Sequence, residues 1–237
     1  MKTRFIMLTL IFLSFIHANE KYKNVFSANI SLDISLEYII YFPNDYHLTN
    51  HNYPLVLFLH GAGERGDNIL LVEKHGIPKL ISKGVEFPFI TIAPQCPRFQ
   101  YWSEPLSVKS LSLLLNEIIE KYRIDENRVY STGLSMGGYG TLSLAKYRPD
   151  LFAAILPVCG GMDTTEIMRL QHMPIWLFHG EKDLVVPVEN SRIIYELLKP
   201  FNPEIKLTIY PDLNHNSWDE TYDNEKIYKW LLSKENR

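Results

Sequence analysis

Six short apolar runs, each ending in glycine, proline or a polar cluster, constrain the fold of this chain more than any other feature. They cover residues 53–61, 87–95, 127–135, 152–161, 173–181 and 204–212. Continuous apolar runs of this length are typical of strands that are buried on both faces of a sheet. Amphipathic patterns lie between them and predict helices over 67–83, 106–122, 136–147, 188–199 and 219–235. Strands that alternate with helices predict an α/β protein, a mostly parallel sheet with helices on both faces.

The segment before the first of these runs differs, because no helical pattern interrupts it. For this reason residues 25–44 are predicted to form an antiparallel hairpin at the edge of the sheet. With this hairpin the sheet is expected to have eight strands. No interior stretch has the composition of a linker, so we expect one folded domain, as the length of 237 residues also favours.

The N-terminus has a different character from the rest of the chain. Lys2 and Arg4 precede an apolar stretch from Phe5 to Ile16, and a small residue, Ala18, follows it. The stretch is shorter than the roughly 20 residues that a membrane-spanning helix needs. This pattern predicts a secretory signal peptide over residues 1–18, a mature domain over 19–237, and export to the periplasm or the medium. A buried N-terminal helix is the alternative.

The charge of the mature chain excludes some classes of partner. Without residues 1–18 there are 22 basic and 27 acidic side chains, and the basic ones form no cluster. A mildly acidic surface argues against nucleic acid and against stable anchoring at an anionic membrane.

Only two cysteines occur, Cys96 and Cys159, and each follows a predicted strand. In the expected strand order they lie three strands apart, about 14 Å at the usual spacing between strands. A disulfide needs Cα atoms within about 7 Å, so we expect two unpaired thiols. Cys159 also precedes a glycine pair, but it lacks the sequence of a nucleophile turn.

A serine between two glycines marks the junction of a predicted strand and a predicted helix. In the sequence "GLSMG", Ser135 stands between Gly133 and Gly137. A serine hydroxyl that attacks a carbonyl must be held out on a sharp turn, and small neighbours let the strand and the helix approach each other there. The pattern predicts that Ser135 is a nucleophile. The alternative is a glycine-rich turn that contains an idle serine.

The loop "LHGAGERGDN" follows another strand and is expected at the same edge of the sheet. Its small residues allow the backbone to approach a reacting carbonyl oxygen. We expect the N–H groups of Ala62 and of Met136, the residue after the nucleophile, to form an oxyanion hole. His60 is expected to orient this loop, and direct proton transfer by His60 is the alternative.

An acid and a base follow two later strands. Asp183 stands in "FHGEKDLVVP" and His215 in "PDLNHNSWDE", so the chain order is serine, aspartate, histidine. A neutral imidazole at His215 can accept the proton of Ser135 while its other nitrogen donates to a carboxylate. Competing carboxylates stand at Asp163, Glu181 and Asp212, and the last of these is the strongest rival because it ends the final strand.

These motifs together resemble the α/β-hydrolase superfamily. The segments "LHGAGERGDN", "APQCP" with "YW" shortly after it, "GLSMGGYGT", "FHGEKDLVVP" and "NHNSWDETY" are similar to secreted carboxylesterases related to feruloyl and acetyl-xylan esterases, some of which are described as predicted peptidases or as phospholipase/carboxylesterase-like proteins. The resemblance implies an α/β-hydrolase fold and a catalytic triad of Ser135, Asp183 and His215. It also implies that the enzyme uses no metal and no organic cofactor.

A serine nucleophile points to acyl transfer from an ester, thioester or amide. Only about a dozen residues separate the strand ending at Gly161 from the one starting near Pro174, a normal connection length that leaves no room for a lid domain. An open site suits a bulky ester, either a small molecule or one borne by a polysaccharide. We therefore expect a secreted serine carboxylesterase. The alternatives are a serine peptidase acting on short peptides and a catalytically silent binding protein on the same scaffold.

Five further side chains are candidates for contact with the substrate. Trp102 and Trp218 are expected to wall the acyl pocket, or else to serve only in packing. For Glu64, Arg65 and His75, a solvated surface is favoured over contact with a polar substrate.

Overall fold

A seven-stranded sheet forms the centre of the described part of the chain, residues 33–236, in this computed structural model. Its strands are β1 (Tyr38–Tyr41), β2 (Tyr53–Leu59), β3 (Ile90–Pro94), β4 (Ile124–Leu134), β5 (Ala154–Val158), β6 (Ile175–Gly180) and β7 (Ile205–Tyr210). The strand order is β1-β3-β2-β4-β5-β6-β7. All neighbouring pairs are parallel except β1, which runs antiparallel to β3. The predicted α/β architecture is confirmed.

The described residues contain seven strands, where eight were predicted for the whole chain. The second half of the predicted hairpin over 25–44 is present as β1, which is antiparallel and lies at the edge of the sheet as predicted. Residues 25–32 of that hairpin lie outside the described residues. The predicted signal peptide over residues 1–18 lies outside them as well.

The described residues contain six α-helices, of which the first four lie between strands and the last two follow β7. They are α1 (Gly76–Ser82), α2 (Pro105–Lys121), α3 (Met136–Tyr147), α4 (Glu189–Leu198), α5 (Trp218–Tyr222) and α6 (Glu225–Leu232). Short 3-10 turns occur at Ala62–Glu64, Ile69–Lys74 and Ile167–Leu170. No helix within residues 33–236 combines the length and apolar character that crossing a membrane requires.

Two predicted helices are each divided in the structure. The segment over 67–83 splits at Gly76, which has a φ of 62°. Gly76 packs closely on Phe58, and a Cβ at position 76 would lie 2.2 Å from the Phe58 ring. The segment over 219–235 splits at Asn224, whose side chain accepts a hydrogen bond from the N–H of Lys226 and caps α6. Local backbone and capping chemistry therefore outweighs the longer hydrophobic periodicity at both places.

Strand β2 shows why the sheet is covered on both sides. Its residues are all buried, and alternate side chains point to opposite faces. Leu55, Leu57 and Leu59 belong to the core that packs against α2, α3 and α4. Val56 and Phe58 belong to the core that packs against α1, α5 and α6. Helices on both faces are thus confirmed.

The connection between β5 and β6 is short and carries no inserted domain in the described part of the chain. It consists of residues 159–174 and contains one 3-10 turn. The structure therefore agrees with the predicted absence of a lid domain.

The glycines around Ser135 permit an unusually close crossing of backbone segments. A Cβ at Gly137 would lie 1.9 Å from the carbonyl oxygen of Leu59, and one at Gly133 would lie 2.6 Å from the carbonyl oxygen of Gly137. The start of α3 can therefore rest directly on the ends of β2 and β4. Any side chain at these positions would push the nucleophile turn away from the sheet.

This crossing predicts that Gly137→Ala is strongly destabilising. The new methyl group would overlap backbone atoms, which cannot move as a flexible side chain does, so we expect a loss of about 3 kcal/mol or more in the free energy of unfolding. Gly63→Ala is the control, because no atom lies within 4 Å of a Cβ there. Urea unfolding of both variants measures the difference, and equal stabilities would contradict the packing described.

Candidate active site

Ser135 has a backbone conformation that non-glycine residues rarely adopt. Its φ is 53° and its ψ is −116°, a strained combination that costs about 1–3 kcal/mol. Its N–H donates to the carbonyl of Val158 on β5 at 2.9 Å, and its own carbonyl accepts from the N–H of Tyr139 at 3.1 Å. The sharp turn expected between β4 and α3 is therefore present, with Ser135 at its apex.

Ser135, His215 and Asp183 form one hydrogen-bonded chain. His215 Nε2 lies 2.9 Å from Ser135 Oγ, and His215 Nδ1 lies 2.7 Å from Asp183 Oδ2. A carboxylate can only accept, so the hydrogen of a neutral imidazole is on Nδ1. Nε2 is then free to accept the hydroxyl hydrogen of Ser135. The structure thus brings together the three residues that the sequence selected.

The rival carboxylates have other partners. Asp212 is exposed and lies 3.0 Å from Lys182 Nζ. Glu181 pairs with Arg192, and the carboxylate of Asp163 accepts a backbone N–H within its own turn. Within residues 33–236, Asp183 is the acid whose side chain hydrogen-bonds to His215, in the loop after β7.

Three hydrogen bonds hold the carboxylate of Asp183. Oδ1 accepts the N–H groups of Val185 and Val186, each at 2.9 Å, while Oδ2 faces His215. Burial alone would raise the pKa of Asp183, but the hydrogen bonds from His215 and from the two backbone N–H groups outweigh it and hold the pKa below its ordinary value. Asp183 is therefore ionised at neutral pH and can orient the imidazole.

The two N–H groups expected to form the oxyanion hole stand at the beginnings of helical turns. Ala62 starts the 3-10 turn after β2, and Met136 starts α3. The first N–H groups of a helix have no partner within it. Within the described residues neither of these two N–H groups donates a hydrogen bond. Their role in holding an oxyanion stays a prediction.

His60 holds the loop that carries Ala62. Its Nδ1 donates to the carbonyl of Gly61 at 2.6 Å, and its Nε2 accepts the N–H of Cys96 at 2.9 Å. The ring is buried, and burial lowers its pKa to about 4. Because both nitrogens are occupied, His60 orients the loop, and the alternative of direct proton transfer by His60 is wrong for this geometry.

The expected pocket wall at Trp102 is also wrong. Trp102 is completely buried, and its Nε1 donates to the carbonyl of His60 at 3.2 Å. Trp102 supports the loop from inside the protein. Gly140 of α3 leaves room for the tryptophan, because a Cβ at position 140 would lie only 2.4 Å from the Trp102 Cβ. Trp218 is only partly buried, and its ring meets the ring of His215 edge-on at 5.3 Å. Of the two tryptophans, Trp218 is the one that borders the base.

The charged side chains after His60 stabilise the same loop. Glu64, for which a solvated position was favoured, is buried, with Lys74 at 3.6 Å and His75 at 3.8 Å from its carboxylate. Arg65 stacks on Tyr101 at 4.7 Å, and its Nε donates to the carbonyl of Ala62 at 3.0 Å. The ring of His75 packs against Trp218. These residues therefore connect the loop to its surroundings, which a short motif could not reveal.

The two cysteines are unpaired and buried, as predicted. Cys159 lies beside the hydrogen-bonded chain, since its Sγ, an Asp183 oxygen and a His215 nitrogen are within 4.8 Å of one another. Thiolate, carboxylate and imidazole are all possible metal ligands, so this cluster has the composition of a metal site. Burial raises the pKa of Cys159 to about 12, and the other two residues already bond to each other, so the cluster suits a packed thiol better than a metal ligand set.

Sequence reasoning missed His179. It lies on β6, completely buried, with Nε2 at 2.9 Å from the carbonyl of Val186 and at 3.3 Å from Asp183 Oδ2. The available signal was a histidine inside an apolar run, four residues before the predicted acid.

Comparison with known proteins identifies the family. Residues 105–231 match the family model described as phospholipase/carboxylesterase. Acyl-protein thioesterase 1 of Gibberella zeae is 33% identical over 210 residues, which cover 73% of this chain and 88% of that protein. The chain belongs to the phospholipase/carboxylesterase family of the α/β-hydrolase fold.

Two further similarities agree with this assignment. The crystal structure of a thermostable esterase superimposes with a TM-score of 0.73 and 35% identity, covering 85% of this chain and 60% of that one. A bifunctional acetylxylan esterase/xylanase of Neocallimastix patriciarum is 26% identical over 183 residues, which are 76% of this chain. The chain spans only 26% of that relative. The predicted enzyme class, an ester hydrolase, is confirmed, whereas the particular activity and substrate are taken up as a proposal below.

The buried, neutral state of His60 predicts a pH-dependent stability. Its pKa is about 4 in the folded protein and near 6.5 in the unfolded chain, so the unfolded chain binds more protons between these values. The free energy of unfolding should therefore fall as the pH is lowered from about 6.5 to about 4, by up to about 3 kcal/mol from this residue.

His60→Gln tests the assignment, because a glutamine amide oxygen can accept the N–H of Cys96 and does not titrate. Urea unfolding between pH 7 and pH 4 should show a shallower dependence on pH in the variant than in the wild-type protein. The same dependence in both proteins would contradict the assignment to His60.

Proposed function

We propose that this protein is a serine carboxylesterase that hydrolyses carboxylic esters through a covalent acyl-enzyme. The observation that carries the proposal is the chain from Ser135 Oγ to His215 Nε2 at 2.9 Å and from His215 Nδ1 to Asp183 at 2.7 Å. The strained backbone of Ser135 holds the hydroxyl at the carboxyl end of the sheet. Membership of the phospholipase/carboxylesterase family supports the same chemistry.

The first half of the proposed reaction transfers the acyl group to the enzyme. Ser135 Oγ attacks the carbonyl carbon of the ester while His215 Nε2 takes its proton, and Asp183 stabilises the imidazolium. The N–H groups of Ala62 and Met136 hold the oxyanion of the tetrahedral intermediate, each contributing about 3 kcal/mol. When the intermediate collapses, the bond to the alcohol oxygen breaks and His215 donates its proton to that oxygen.

The second half releases the acid. Water attacks the acyl carbon and gives a proton to His215 Nε2. The second tetrahedral intermediate collapses with cleavage of the bond to Ser135 Oγ, which recovers its proton from His215. The carboxylic acid leaves, and the enzyme returns to its starting state. Every proton in this sequence is moved by residues of the chain, so the proposed reaction requires no metal and no organic cofactor.

The proposed substrates are acetyl or feruloyl esters carried by plant polysaccharide. The similarity to a protein described as an acetylxylan esterase/xylanase favours such esters. The absence of a domain between β5 and β6 in the described residues leaves room there for a large alcohol component. A groove of about 450 Å³ lined by Pro105, Tyr139 and Met162 begins one helical turn after Ser135 and could receive part of a bulky substrate.

Export of the protein belongs to the proposal as well. The basic residues and short apolar stretch within residues 1–18 support a cleaved secretory signal. Polymer-bound esters require an enzyme outside the cytoplasm, so the proposed address and the proposed substrate agree. N-terminal sequencing of the protein recovered from outside the cytoplasm should find a start close to residue 19.

Ser135→Ala is expected to lower kcat by roughly 10⁴-fold or more, because no other group on the turn can form the acyl-enzyme. The urea unfolding midpoint should remain close to that of the wild-type protein, since alanine fills the same space. Hydrolysis of an aryl ester by the two proteins measures the loss. Near-normal turnover by a folded Ser135→Ala protein would contradict the proposed nucleophile.

A panel of acetyl, butyryl, octanoyl and feruloyl esters tests the proposed substrate, with Ser135→Ala as the control in each case. A preference for acetyl or feruloyl esters that disappears in the control is the expected result. An octanoyl preference would contradict the polysaccharide assignment and favour lipid esters or thioesters. If peptide amides are cleaved faster than all esters, the protein is a peptidase. If a fluorophosphonate fails to label Ser135, the silent binding protein is favoured.

A further inference from the structure

His179 is a second histidine in contact with the acid of the proposed triad. Its ring is completely buried at the end of β6. Nε2 must carry a hydrogen, because its 2.9 Å partner, the carbonyl of Val186, can only accept. The same Nε2 lies 3.3 Å from Asp183 Oδ2, a close polar contact. Nδ1 then accepts the hydroxyl hydrogen of Ser191 at 2.7 Å.

The turn that carries Asp183 has little apolar packing of its own at its tip. Leu184 is 96% exposed and Val185 is 69% exposed. The turn is held instead by polar contacts, namely the two backbone N–H groups on Asp183 Oδ1 and the N–H of His179 between Val186 and Oδ2. His179 therefore contacts both the first residue of the turn, Asp183, and the last, Val186.

We propose that His179 is a positioning residue, which holds the Asp183 carboxylate in line with His215 by donating from Nε2 to Val186 and placing the same N–H beside Oδ2, while Ser191 fixes the tautomer that puts the hydrogen on Nε2. The inference rests on the proposed ester hydrolysis. It extends the row of polar contacts to Ser191, His179, Asp183, His215 and Ser135. His179 does not touch the reacting atoms, so it acts through Asp183 alone.

A donor on Oδ2 also affects the charge of the pair. The N–H of His179 stabilises the negative charge of Asp183 and weakens the attraction of that carboxylate for a protonated His215. Loss of the donor should therefore favour the protonated, inactive form of the base. The acidic limb of kcat/KM should then shift to higher pH.

Other titratable groups near Asp183 are Tyr139 on α3 and Cys159, which directly follows β5. Burial raises the pKa of both, that of Cys159 to about 12, so they stay neutral over the acidic limb. Glu181 and Lys182 on the same turn are engaged with Arg192 and Asp212 near the surface. A shift of the acidic limb of kcat/KM therefore reports on His179, His215 and Asp183.

Three variants of the full-length protein test the proposal. His179→Leu removes the donor and should lower kcat by roughly 10-fold, as expected for one hydrogen bond to an ionised group, with KM unchanged. The acidic limb should move up by about half a pH unit. His179→Gln places an amide N–H near the same point and should restore most of both. Ser191→Ala keeps the imidazole but frees its tautomer, so its loss should be smaller and in the same direction.

Asn202→Leu is the matched control for a lost buried hydrogen-bonding side chain. Asn202 Nδ2 donates to the carbonyls of Leu170 and Met173, at the other end of the sheet from Ser135. This variant should lower the urea midpoint without moving the acidic limb.

Unchanged kcat and pH profile in folded His179→Leu and Ser191→Ala would overturn the proposal. A loss in His179→Leu that glutamine does not restore, or that leaves the acidic limb in place, would also overturn it, because the effect would then be packing alone. If the wild-type protein hydrolyses no ester, the failure belongs to the proposed function and not to His179.

Discussion

Ser135 keeps a backbone conformation that costs about 1–3 kcal/mol, and the neighbouring segments compensate for that strain. Its N–H is bound by the end of β5 and its carbonyl by the first turn of α3. Gly137 lies so close to Leu59 that β2, β4 and α3 meet with no side chain between them. The position of the hydroxyl therefore depends on the packed backbone of the whole carboxyl edge, and the base and the acid are brought to it by loops from the same edge.

Cys159, which directly follows the neighbouring strand β5, also has a strained backbone but lies in a different chemical environment. Leu134 pairs with Val158, so Ser135 and Cys159 are the next residues on neighbouring parallel strands, and both have a positive φ. Glycines follow both, and a Cβ at Gly160 would lie 2.6 Å from the backbone of α3. Yet Cys159 is completely buried, and burial keeps its thiol protonated. Exposure and the contact with His215, more than backbone strain alone, distinguish the proposed nucleophile from its neighbour.

Features carried by short stretches of sequence were the predictable ones. Parallel strands are buried on both faces, so their apolar runs were visible, and Ser135, Asp183 and His215 could be assigned to one edge because each follows such a run. Features that depend on distant contacts were not predictable. The complete burial of Trp102 depends on the space above Gly140, and the contact of His179 with Asp183 depends on how the following turn folds back. The boundary at Asn224 depends on a cap that overrides a continuous apolar pattern.

Mass spectrometry of the protein quenched with acid while it hydrolyses an aryl acetate can detect covalent acylation of Ser135 during turnover. We expect a protein heavier by one acetyl group, with the modification on the peptide that contains Ser135, and no such species in Ser135→Ala. Turnover without any adduct, or an adduct on Cys159 or another residue in its place, would contradict acylation of Ser135.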